Sequence, residues 1–222
     1  MGNVIITGGA SGLGAATVNA VRAAGGVPLV IDRDRPDIEV DWEQADLADS
    51  AAAEEATRAL ADRAGGRIDG VFTAAGIDAC GPLEKVDAAA WERVVRVNLL
   101  GTAAVIRAAP PALRASRGHV VTCASTLGMR ALPDATAYCA SNFGVVGFTR
   151  ALAGEIGLTL LIPGGMDTHF FDDRPEQHVP GPDVRLERPE NVADAVVFAL
   201  TRPAGSKVRE MLVCASIESS WP

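Results

Sequence analysis

The chain has 222 residues, 48% hydrophobic and 22% charged, a balance that suits one globular domain with a sizeable core and excludes a disordered or fibrous chain. A net charge of −8, with Lys85 and Lys207 as the only lysines and no basic cluster, argues against nucleic acid or an anionic membrane as the main partner. Apolar runs such as 27–31 fall far short of the ~20 residues of a membrane span, so a soluble protein is expected.

The first residues lack a basic leader and run directly into a strand, which points to the cytoplasm. Cys80, Cys123, Cys139 and Cys214 lie in apolar surroundings without C-x-x-C spacing, so they read as reduced, buried thiols and not as metal ligands. No linker or repeat divides the chain, and residues 1–222 are read as one domain.

In chain order, short β-branched runs alternate with alanine-rich segments of helical period. Strands are predicted at 4–7, 27–31, 39–44, 70–73, 119–123, 158–162 and 210–213, and helices at 12–24, 50–64, 88–109, 135–154 and 190–200. Fully apolar strands separated by helices specify a parallel sheet covered on both faces, a Rossmann-like doubly wound α/β fold. Between the second and third strands only residues 32–38 intervene, and Pro36 disfavours a helix there, so one crossover helix is expected to be missing. Asp134 is expected to cap the helix that follows it, and Gly157 to stand just past that helix's end.

The first strand ends in Thr7-Gly8-Gly9-Ala10-Ser11-Gly12-Leu13-Gly14 and opens a helix. Thr7, Gly8, Ser11, Gly12, Leu13 and Gly14 are candidate cofactor residues. Glycines let the backbone turn sharply toward a pyrophosphate, and the helix N-terminus supplies N–H donors and positive potential. Asp32, eighteen residues past Gly14, ends the second strand. A carboxylate there accepts hydrogen bonds from both adenosine ribose hydroxyls and repels a 2′-phosphate, favouring NAD. Arg33 beside it is a group able to hold that phosphate, which keeps NADP open. Asp46, Leu47 and the side-chain-poor Ala74-Ala75-Gly76 follow the third and fourth strands at the same sheet edge.

Ser125 follows the fifth strand, and Tyr138 stands thirteen residues later at the start of a helix. With Asn98 and Asn142, these residues make the chain resemble the short-chain dehydrogenase/reductase family. The resemblance runs over essentially the whole chain: the glycine-rich turn, Ala74-Ala75-Gly76, Asn98-Leu99-Leu100-Gly101, Ser125, Tyr138 and Pro163-Gly164-Gly165-Met166-Asp167-Thr168. It implies an NAD(P)-dependent oxidoreductase that interconverts a secondary alcohol and a ketone. Tyr138 would exchange a proton with the substrate oxygen, Ser125 would hydrogen-bond the same oxygen, and Asn98 would hold a water or backbone group in a proton relay. Pro163, Gly164, Met166 and Thr168 would line the nicotinamide end.

Two positions depart from the family pattern. Asn142 replaces a lysine whose ammonium would bind the nicotinamide ribose and lower the tyrosine pKa, so turnover is expected to suffer more than cofactor binding. A nucleotide-binding protein without redox turnover, or an isomerase or dehydratase, is the alternative. Thr73 replaces an asparagine, and its hydroxyl is expected to take over some of the hydrogen bonds. A serine-hydrolase reading of Ser125 lacks the G-x-S-x-G elbow. Phe170-Phe171 reads either as the wall of an apolar substrate pocket or as a packed loop. The small-residue stripe Ala140, Gly144, Gly147 and Ala151 permits close helix approach, and the resemblance implies a subunit contact there, which Trp221-Pro222 would join; a homodimer or homotetramer is expected.

Overall fold

The computed structural model describes residues 1–172, 174–181, 183–203 and 205–218, so Trp221 and Pro222, expected at an interface, lie outside the described residues. Seven parallel strands form one sheet in the order β3-β2-β1-β4-β5-β6-β7. They are β1 (Asn3–Thr7), β2 (Val27–Asp32), β3 (Asp41–Gln44), β4 (Gly70–Thr73), β5 (His119–Cys123), β6 (Leu158–Pro163) and β7 (Glu210–Val213). Strand order reverses between β1 and β4, which opens a crevice at their carboxyl ends, where doubly wound folds bind ligands.

Alternation along the strands divides the core into two layers. Val4 and Ile6 of β1 face a cluster with Val18 and Val21 of α1 (Gly12–Ala23) and Val192 and Val196 of α7 (Pro189–Leu200). Ile5, between them, faces the other side, with Leu60 of α2 (Ser50–Arg63) and Val105 of α4 (Thr102–Ala108). Each such fully buried aliphatic side chain contributes roughly 1.5–3 kcal/mol.

The expected missing crossover is observed: β2 and β3 pair in parallel with no helix between them. Ile38 and Val40 from the connection, with Trp42 of β3, pack on the α1 face and cover part of the sheet in its place.

The segment expected as one helix over 88–109 is three pieces: α3 (Ala88–Val95), a π-helical turn over Arg96–Gly101, and α4. Gly101 permits this packing, because a Cβ there would lie 2.7 Å from both Cβ and the carbonyl oxygen of Leu47. A further helix, α5 (Pro110–Ser116), was not anticipated; its prolines occupy the first turn, where a missing N–H removes no helical bond.

Two end signals were misread. Helix α6 (Thr136–Leu152) is capped at Ala135 with no side-chain cap bond, and Asp134 sits instead at φ 61° with its carbonyl accepting from the Gly81 N–H. Gly157 lies beyond a longer connection, directly before β6, where a Cβ would come 3.0 Å from His119 Nδ1. Thr73 also differs from expectation: its hydroxyl is buried with no hydrogen-bond partner among the described residues, a penalty of about 1–3 kcal/mol.

His119, at the start of β5, places Nε2 2.7 Å from Thr159 Oγ1, whose own hydroxyl donates to the Val208 carbonyl. Partial burial, aided by the Lys207 ammonium, pushes its pKa from 6.5 down to about 4. The unfolded chain therefore binds a proton that the folded chain refuses. This contribution is intact above pH ~6.5 and is lost as pH falls toward 4, amounting after allowance for solvent screening to about 1–2 kcal/mol. Urea unfolding at pH 7 and pH 5 should show a loss in the wild type that His119→Gln reduces by that amount.

Candidate active site

The carboxyl ends of the strands border a cleft of about 1110 Å³ lined by the glycine-rich turn, Asp32, Asp46, Leu47, Ala74–Gly76, Asn98, Ser125, Tyr138, Asn142 and the loop after β6. One cavity thus gathers the expected site residues Gly8, Ser11, Gly12, Leu13, Gly14, Asp32, Arg33, Asp46, Leu47, Ala74, Ala75, Gly76, Asn98, Ser125, Tyr138, Asn142, Pro163, Gly164, Met166 and Thr168. Thr7 is buried just beneath it and accepts the Ala75 N–H at Oγ1 (3.1 Å), tying the β1 turn to the β4 turn.

The turn is shaped for backbone approach. Gly8 has φ 71° and its N–H donates to the Ile31 carbonyl, while a Cβ there would sit 2.9 Å from Ala75 Cα. A Cβ on Gly14 would be only 1.9 Å from the Gly8 carbonyl oxygen, so the helix could not pack down on the turn with any other residue. Ser11 leaves the first N–H groups of α1 without a side-chain cap. These uncapped donors at a helix N-terminus facing the cleft fit a pyrophosphate.

Asp32 is not a solvated turn residue. Its Oδ2 accepts the Ala10 N–H (2.9 Å) and its Oδ1 the Asp34 N–H (3.0 Å), which orients the carboxylate beside the turn. Arg33 pairs with Asp34 at 2.9 Å on the surface. Farther along the edge, burial works against ionisation of Asp46, but the Ala48 N–H and the Arg93 guanidinium, 2.8 Å away, outweigh it and hold the carboxyl below its usual range.

At the inner end Ser125 is 7% exposed; its Oγ accepts the Leu127 N–H (3.1 Å) and lies within hydrogen-bonding reach of the Tyr138 phenol. Burial raises the Tyr138 pKa well above its ordinary value, the Cys123 thiol adds to the rise, and the Ser125 hydrogen bond opposes it. Cys123 itself is pushed up to about 12 by burial and stays a thiol. The partners of Ser125 are thus a backbone N–H and a phenol, not an imidazole.

Asn142 is 4% exposed and donates from Nδ2 to the Tyr138 carbonyl at 2.9 Å, turning one amide N–H back onto its own helix. Arg150, the basic residue of this helix, binds Glu210 at 2.8 Å, and neither Lys85 nor Lys207 lines the cleft. Asn98, held in the π-turn, accepts the Ile77 N–H and donates to the Ile77 carbonyl, both at 2.9 Å, and donates to Ser141 Oγ at 3.1 Å. The extra residue per turn of a π-helix aims this amide at the β4 loop, and Ser141 in turn donates to the Tyr138 carbonyl. Asn98 thus holds the Ile77 backbone and the Ser141 hydroxyl.

Beside Phe170 and Phe171, this end of the cleft holds Arg174 and Asp78, which the sequence reading did not single out. The Phe170 ring centroid lies 5.5 Å from that of Tyr138, and Phe171 meets Phe170 edge-on at 5.6 Å. Arg174 stacks on both phenylalanines, at 5.1 and 4.6 Å, and pairs with Asp78 at 2.6 Å; the two side chains are only 15% and 5% exposed. The Cys80 thiol donates to the same carboxylate, and burial followed by that bond raises its pKa to about 12. Phe170-Phe171 is thus both a packed loop and a pocket wall, fastened by an ion pair that spans 96 positions. No pattern in the sequence links its two partners.

The geometry is that of a dinucleotide cleft ending at a tyrosine and a serine, and the chain belongs to the short-chain dehydrogenase/reductase family: the family model for short chain dehydrogenase matches residues 2–178. It is an oxidoreductase of that family and uses NAD(P). Levodione reductase of Leifsonia aquatica is 33% identical over 215 residues, covering 87% of this chain and 78% of that protein. Cis-4-hydroxycyclohexanecarboxylate dehydrogenase of Sinomonas cyclohexanicum is 31% identical, covering 94% and 92%. Alcohol dehydrogenase from the archaeon Thermococcus sibiricus, complexed with 5-hydroxy-NADP, has the same fold with a TM-score of 0.87 at 22% identity, over 97% of each chain.

Proposed function

We propose that the protein interconverts a small secondary alcohol and its ketone, with NAD(H) preferred over NADP(H), at a rate limited by the neutral Asn142 where the family has a lysine. The observation that carries this reading is the Tyr138 phenol facing Ser125 in the same cleft as the glycine-rich turn. The names of the levodione and hydroxycyclohexanecarboxylate relatives support a small alcohol or ketone as substrate.

A nicotinamide cofactor held in this cleft would supply the hydride acceptor or donor. Ser125 holds the substrate oxygen, and Tyr138 gives it a proton in ketone reduction or takes one in alcohol oxidation. Phe170 closes one side of the tyrosine ring, and the neutral Arg174–Asp78 pair leaves an apolar wall suited to an uncharged portion of the substrate. Asp32, oriented by two backbone N–H groups, accepts from the adenosine ribose and repels a 2′-phosphate, while Arg33 is engaged by Asp34.

The raised Tyr138 pKa and the inward-turned Asn142 amide favour a second reading, in which the chain binds nucleotide without redox turnover. Assembly as a homodimer or homotetramer is supported by exposed Phe143, Gly147 and Ala151 on α6 with exposed Leu100 nearby, although Gly144 packs internally on Leu99. Free thiols at all four cysteines support a cytoplasmic setting.

Calorimetric titration with NAD⁺, NADH, NADP⁺ and NADPH, followed by turnover over a panel of secondary alcohols and ketones, tests the proposal. Tighter binding of NAD(H) with measurable, slow turnover is expected. Binding without turnover on any substrate supports the second reading, and binding of neither nucleotide overturns both.

A further inference from the structure

The C-terminal segment beyond β7 returns to the cleft and places Glu218 on its wall, beside Pro163, Gly164 and Gly165. Its Oε2 accepts the Gly165 N–H at 2.9 Å, a contact across 53 positions. Gly164 is what admits the carboxylate: a Cβ there would fall 2.4 Å from Glu218 Oε2 and 2.7 Å from Cys214 Cβ. Of the cleft-lining residues in the first part of this loop, Pro163, Gly164, Gly165, Met166 and Thr168 carry no charge; farther along it the His169 imidazole is engaged by Asp172 at 2.8 Å and the Arg174 guanidinium by Asp78 at 2.6 Å. Across the cleft, Asn142 contributes no charge either.

We propose that Glu218 tunes the nicotinamide electrostatically, its carboxylate favouring the positively charged oxidised ring over the neutral reduced one. The proposal rests on the reading that residues 163–168 flank the nicotinamide. Favouring the oxidised ring makes the bound reduced cofactor the stronger hydride donor. In the reaction ketone plus NADH plus a proton going to alcohol plus NAD⁺, the hydride leaves the reduced ring, Tyr138 supplies the proton, and the equilibrium on the protein moves toward the alcohol. Glu218 touches no reacting atom in this scheme; it acts through charge on the ring.

The test needs no substrate. NAD⁺ and NADH are titrated separately into the full chain, Glu218→Gln and Glu218→Lys, following tryptophan quenching for NAD⁺ and cofactor fluorescence for NADH. Glutamine keeps an acceptor for the Gly165 N–H and removes only the charge. Two charges several ångströms apart at a partly exposed site should change the ratio of the two dissociation constants by about fivefold. Glu218→Gln is expected to weaken NAD⁺ by that factor with NADH changed less than about twofold, and Glu218→Lys to shift the ratio further in the same direction. An unchanged ratio, whether neither constant moves or both move together, overturns the proposal and leaves Glu218 as a strut for the loop. If the wild-type chain binds neither nucleotide, the cofactor-site reading fails, and this inference fails with it.

Discussion

Phenylalanine at position 138 is expected to lower turnover by about 10³-fold while leaving nucleotide affinity within about twofold of the wild type. A positioned proton donor contributes roughly 10²–10⁴ to rate, and among the described residues the phenol is the acid hydrogen-bonded to Ser125. The ring itself should stay in place. Phe170 packs against it at a tilt, and the helix beneath is held through the Tyr138 carbonyl by Ser141 and Asn142, contacts the substitution does not touch. Steady-state kinetics on a responsive substrate, with NADH binding measured in parallel, separates the two effects. A Tyr138→Phe variant that turns over at near wild-type rate would remove Tyr138 from the mechanism, and equal loss of binding would mark it as structural.

The second large effect runs the other way. Asn142→Lys is expected to raise turnover at pH 7 by about 10–100-fold and to move the rising limb of the alcohol-oxidation pH profile to lower pH by about one to two units. The phenol pKa is raised by burial, so the phenolate that accepts the alcohol proton forms only at high pH. A nearby ammonium stabilises the phenolate, lowers that pKa, and shifts the limb to lower pH; each unit corresponds to about 1.4 kcal/mol. The position lines the cleft, so a lysine stem has a route toward solvent. Stability should fall by about 1–3 kcal/mol, because Asn142 is nearly buried and its bond to the Tyr138 carbonyl is lost. Rate–pH profiles and thermal unfolding of the two proteins check both halves. An unmoved limb would show that something other than the tyrosine limits the rate.

Much of the fold was legible because its signals are local. Short apolar strands, helical alanine-rich segments and the missing crossover at Pro36 each follow from the chain's own periodicity and backbone limits, and the sheet bears them out. Where expectation failed, a neighbour distant in sequence prevailed over a local preference. Asp134 was expected to cap α6 with its side chain, but Gly81 takes its carbonyl and the residue adopts a left-handed conformation. The helix expected over 88–109 loosens into a π-turn where Gly101 meets Leu47 and Asn98 reaches Ile77. The Thr73 hydroxyl, expected to take over some of the hydrogen bonds of an asparagine, reaches no partner among the described residues.

The candidate site divides along the same line. The sequence by itself located the glycine-rich turn, Asp32, Ser125, Tyr138 and the uncharged Asn142, because each depends on residue type at a fixed place relative to a strand end or helix start. Only the tertiary structure decided how the Asn142 amide turns, that Arg174 locks Asp78 behind the phenylalanines, and that Glu218 reaches the loop through Gly164. Two of these contacts join positions 96 and 53 residues apart. Nothing in local periodicity encodes such pairs. They form because closing the sheet brings its strand-end loops together over one crevice, where a buried charge must find a counterion or a backbone donor.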